Sequence, residues 1–175
     1  MARWLEDVED AFARAASAQD IVAIASDFRR FAKWRPDIVL RSQRAAAAIV
    51  RDLAIALCAT DGCREAARLL SAFPLFLCLR SGDAALFEAL RVIADEADWR
   101  DKRRLAALLA IGSSRSAMAG AMARRMRLSR SRPASQADAV WLRRVMDNAD
   151  TSAALRAFAA ETLALHTAAP LTGPL

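Results

Sequence analysis

The chain has 175 residues, of which 43 are alanine, five glycine and five proline, with no tyrosine and a net charge of +6. That length suits a single domain, and an alanine-rich, glycine-poor composition favours closely packed helices over a sheet, because strands need β-branched and aromatic residues at alternating positions. No alternating run bounded by turn residues occurs, and one histidine and three cysteines provide neither a paired Glu-x-x-His iron site nor a tight Cys-x2-Cys zinc knuckle.

In chain order, residues 3–18 read as a first helix that begins in the acidic stretch Glu6, Asp7, Glu9, Asp10, which is unlike a secretory signal. Asp20 is the expected cap of a second helix running to Trp34 and stopped by Pro36, with Ile21, Ile24, Phe28 and Phe31 at helical spacing. The run Phe28-Arg29-Arg30-Phe31-Ala32-Lys33-Trp34-Arg35, continued by Arg41 and Arg44, has the residue types of a phosphate-binding surface. Helical phase nevertheless puts its aromatics on the core side and its cations on the solvent side. Trp34 falls at the edge of the apolar stripe.

A third helix, about Asp37 to Thr60, is apolar around most of its circumference and is the expected central element, its Arg41, Arg44, Arg51 and Asp52 lying on one stripe. Asp61-Gly62 ends it, and a helix to Phe73 follows. Pro74 then opens a short apolar turn, after which Ser81-Gly82-Asp83 recaps the chain for Ala84 to Ala94. Cys58, Cys63 and Cys78 read as small buried hydrophobes with reduced thiols, as in a cytoplasmic protein. Neither Leu69 to Leu79 nor Ala45 to Ala59 is long and apolar enough to span a membrane. Asp95, Glu96, Asp98 and Asp101 lack the central glycine of a calcium loop and fit the dipole of a helix start.

That helix covers about Asp98 to Ile111 and ends at Gly112, and Ser113 or Ser114 is the expected cap of the next, which reaches about Leu128. Residues 129–136 read as a basic Ser/Arg/Pro linker. Two helices follow near 136–149 and 151–166, with His166 in the final turn and residues 167–175 as a flexible tail. The expected fold is therefore all-α, an irregular bundle of eight to ten short helices in one domain over residues 1–166, with solenoid-like helical hairpins as the related architecture.

Charge is uneven along the chain. Residues 1–112 carry 17 basic and 16 acidic side chains, whereas 113–175 carry 9 and 4, and all the basic residues except Lys33 and Lys102 are arginine. Arginine and alanine codons are GC-rich, which points to a bacterial source. Within 103–132, Leu105, Leu108 and Leu109 precede Gly112, and Met118, Ala121 and Met122 face inward after it. In outline this segment resembles a helix-turn-helix. The resemblance implies Ser114, Arg115 and Ser116 at the start of a recognition helix, with Arg124, Arg125, Arg127, Arg130 and Arg132 meeting phosphates. It departs from the pattern at Leu108, where that family has a small residue. The run Ala117-Met118-Ala119-Gly120-Ala121-Met122-Ala123 equally suits close packing against another helix.

With no catalytic, metal or cofactor constellation legible, the expected function is a non-enzymatic cytoplasmic interaction protein: an adaptor, chaperone or regulatory subunit. Its partner is another protein or a second copy of itself, held in an inter-helix groove lined by Leu75, Phe76, Met118, Met122 and Met126. DNA binding through 103–132 is the alternative.

Overall fold

A computed structural model describes residues 3–73, 83–114, 116–128 and 135–168, which form ten helices and no strand. They are α1 (Arg3–Ala13), α2 (Ala18–Trp34), α3 (Pro36–Arg41), α4 (Gln43–Cys58), α5 (Cys63–Ala72), α6 (Ala84–Glu96), α7 (Trp99–Gly112), α8 (Ala117–Arg127), α9 (Gln136–Asp147) and α10 (Ala153–Ala168). The all-α expectation holds. The chain divides into two compact units, residues 1–101 and 102–175, and the division falls within α7. The linker expected at 129–136 lies almost wholly outside the described residues, as do residues 169–175 of the expected tail; α10 itself continues to Ala168.

In the first unit, α2 starts with a capping box. Ser17 is the cap and accepts from the Asp20 N–H at 3.2 Å, while the Asp20 carboxylate accepts from the Ser17 N–H at 2.9 Å. Asp20 thus occupies the third helical position and not the cap itself, because the box needs a hydroxyl in front and a carboxylate behind. The helix expected from Asp37 to Thr60 is interrupted at Ser42, which separates α3 from α4.

Along α4, Ala46, Ile49, Val50, Leu53, Ala54 and Leu57 are buried, a 3.6-residue pattern wide enough to meet several neighbours. The helix packs against α1, α2, α3, α5 and α6, so it is the centre of this unit as its sequence suggests. Beyond it, Asp61 takes a left-handed backbone with φ 59°, and the Gly62 N–H donates to the Leu57 carbonyl at 2.7 Å. A Cβ at Gly62 would sit 2.9 Å from that same carbonyl oxygen, so only glycine closes the turn without a shift. Phe28 completes the aromatic part of the core, with its ring 5.0 Å from Trp4 and 4.9 Å from Phe73, and Phe31 stacks on Trp4 at 3.7 Å.

Two ion-pair groups tie the helices of this unit together. Arg51 of α4 donates to Asp83, through NH2 at 3.0 Å and also through Nε, and Asp83 in turn caps α6 by accepting from the Leu86 N–H. Asp101 of α7 pairs with Arg64 at 3.3 Å and with Arg68 at 3.0 Å, both from α5.

In the second unit α8, α9 and α10 pack on one another. Leu155, Phe158, Ala159 and Thr162 of α10 are buried at helical spacing, alongside Leu142 of α9 and Ala121, Met122, Ala123 and Met126 of α8. The cap of α8 is Ser116, which accepts from the Ala119 N–H at 3.3 Å. Ser113 and Ser114 instead donate to the Ala110 and Ile111 carbonyls at the end of α7, because those carbonyls have no further helical turn to serve. Gly120 lets α8 lie directly on α9: a Cβ there would be 2.9 Å from the Trp141 ring. The close helix contact expected of the Ala117–Ala123 run is present.

Candidate functional site

Of the groove residues expected from the sequence, Met122 and Met126 are fully buried and Met118 is half-buried, while Leu75 and Phe76 lie outside the described residues. The two buried methionines are core. Periodicity identifies them as an apolar face correctly, and at Met122 and Met126 that face is buried.

Three arginines of the helix-turn-helix-like segment, Arg124, Arg125 and Arg127, are also engaged. Arg124 sits with its guanidinium carbon 3.7 Å from the Trp141 ring centroid, its Nε 3.3 Å from Asp138 and its NH1 donating to the Gly120 carbonyl at 2.9 Å. Burial pulls its basicity below the ordinary arginine value, with Asp138 acting in the opposite direction. Arg127 reaches the same Asp138 oxygen at 3.1 Å. Arg125 is buried, pairs with Glu161 at 3.5 Å and lies over the Phe158 ring at 5.9 Å. Arg115, Arg130 and Arg132 lie outside the described residues, Ser114 is exposed and Ser116 is the α8 cap.

At the join of α4, α5 and α6, the Cys63 thiol donates to Glu96 at 3.4 Å and the Cys58 thiol to the Ala89 carbonyl at 3.5 Å. Burial pushes the Cys58 thiol up to about 12, and burial and then Glu96 raise Cys63 as well. Thiols held protonated in this way are poor nucleophiles and poor metal ligands. No group of three or more histidine, cysteine or acidic side chains placed to hold a metal occurs among the described residues. None of their helices is long and apolar enough to cross a membrane.

What remains is a surface that sequence phase only hinted at. Trp34, the last residue of α2, is 75% exposed, and Leu40 on α3 is 66% exposed. The reason is local. The Arg35 backbone (φ −131°, ψ 58°) leaves the helical region ahead of Pro36, so α3 starts in a new direction and buries Val39 while Leu40 faces outward. Pro36, Asp37, Leu40 and Arg41 are all exposed, as is Arg44, the second residue of α4, with Asp37, Leu40 and Arg41 at helical spacing on α3. Asp37 is held by Arg35 at 3.2 Å, and that hydrogen bond depresses its carboxyl below the usual range.

The basic run thus splits by phase as its sequence suggests, with Phe28 and Phe31 inward and Arg30 and Lys33 outward, while Trp34 joins the outer face. The signal that could have found it is Trp34 immediately before an Arg-Pro break. No family model, curated protein or solved structure matches the chain.

Proposed function

We propose that the chain is a non-enzymatic helical interaction protein, an adaptor, chaperone or regulatory subunit of the bacterial cytoplasm, that recognises a protein partner through the α2–α3 junction. The observation that carries this reading is the exposure of Trp34 (75%) at the end of α2 and of Leu40 (66%) on α3, six residues apart in the chain, in a unit whose aromatic core takes in Trp4, Phe28 and Phe31. Tryptophan and arginine are the residues most enriched at the energetic centre of protein interfaces, and an exposed pair of large apolar side chains rimmed by charge fits such a centre. The reading keeps a protein as the partner and moves the contact from a groove lined by methionines to this junction.

DNA binding has less support, since Arg124, Arg125 and Arg127 already face Asp138, Glu161 and Trp141. The test is affinity capture of the full chain from extracts of the cells that encode it, compared with Trp34→Ala/Leu40→Ala by quantitative mass spectrometry. One protein, or a second copy of the chain, should be retained by the parent and lost by the variant. Equal recovery from both sinks the proposal.

A further inference from the structure

We infer that the partner element seated on Trp34 and Leu40 is an acidic segment of another protein carrying its own apolar anchors, an inference that rests on the protein-partner reading above. The charge pattern around the junction carries it. Residues 27–44 hold six cations, Arg29, Arg30, Lys33, Arg35, Arg41 and Arg44, against two carboxylates, Asp27 and Asp37. Both carboxylates are already taken, Asp27 by Arg30 at 3.4 Å and Asp37 by Arg35 at 3.2 Å. Arg29, Lys33, Arg41 and Arg44 therefore have no ion pair among the described residues.

Three of the unpaired cations adjoin the two exposed apolar side chains. Lys33 precedes Trp34, Arg41 follows Leu40, and Arg44 is the second residue of α4, all three of them exposed. An apolar anchor ringed by uncompensated positive charge is complementary to an apolar anchor ringed by carboxylates, and such complementarity sets both partner choice and association rate. The exposed Trp34 and Leu40 side chains find no apolar match on a phosphate array, whereas a protein segment can place apolar side chains opposite them and acids opposite the cations.

The experiment places a photoreactive residue at the contact, Leu40→p-benzoylphenylalanine in the full chain, crosslinks it in the cells that encode it, and identifies the attached segment by mass spectrometry. The expected adduct is one protein, joined through a segment of net negative charge. Its yield should fall at least about tenfold when Lys33, Arg41 and Arg44 are all changed to Glu, since facing like charges are strongly unfavourable. A second variant with glutamine at the same three positions guards against misfolding and should give an intermediate yield. An adduct with a neutral or basic protein segment, or a yield that both variants leave unchanged, overturns the acidic-partner inference and leaves a protein partner standing. An adduct with lipid or nucleic acid, or no adduct at all, overturns the inference and the protein-partner reading together.

Discussion

The guanidinium of Arg124 lies over Trp141 with its central carbon 3.7 Å from the ring centroid, while the same side chain reaches Asp138 at 3.3 Å. One arginine thus joins α8 to α9 through an aromatic face and a carboxylate at once. Its side chain is 15% exposed, so the pair is largely desolvated and the attraction is greater than at an open surface. A double-mutant cycle between Arg124→Ala and Trp141→Ala, followed by urea denaturation, should return a coupling of about 1–2 kcal/mol. Additive losses would mean that the stacking contributes nothing.

The Arg51–Asp83 pair predicts an acid-sensitive contribution to stability. Asp83 caps α6 and accepts from Arg51, and the hydrogen bond from Arg51 is the main reason its carboxyl is held below the ordinary aspartate range. A carboxyl depressed in the folded state stabilises the fold fully above its unfolded value of about 4. That contribution is lost as pH falls through the lower folded value. Asp83→Asn keeps a capping oxygen but loses the charge, so its deficit should be largest near neutral pH and shrink below about pH 4. Denaturant midpoints of both proteins between pH 2 and pH 7 check this.

Thr162 is fully buried on α10, and its hydroxyl oxygen makes no hydrogen bond among the described residues. A buried hydroxyl without a partner costs the desolvation it suffers, about 1–3 kcal/mol. Thr162→Val replaces that hydroxyl with a methyl of nearly the same size. It should raise stability by about 1 kcal/mol, seen as a higher melting temperature. A lower one would show that the hydroxyl is satisfied in solution.

Much of the fold is legible from local pattern alone. The stripe Ala46, Ile49, Val50, Leu53, Ala54, Leu57 announces α4 as a central helix because burial follows the helical period. Local pattern does not say what covers an apolar face, which is why Met122 and Met126 read equally well as a partner groove and as the core they form. Nor does it show ion pairs formed between helices. The basic run of α8 becomes inward-facing only because Asp138 and Glu161 arrive from α9 and α10. Ser113, Ser114 and Ser116 offer three hydroxyls within four residues, and which one caps is decided by the turn geometry. Trp34 was at the limit of what phase can resolve, at the end of its stripe and one residue before the Arg35-Pro36 break.

The reading of Trp34 and Leu40 as a docking surface separates binding from stability, and the most direct test measures both on Trp34→Ala/Leu40→Ala. Side chains this exposed contribute little to the core, so the unfolding free energy from urea denaturation should stay within about 0.5 kcal/mol of the parent's. Binding of the captured protein should weaken by about 2 kcal/mol or more, roughly 30-fold. An unchanged affinity, or a loss of affinity matched by an equal loss of stability, would contradict it.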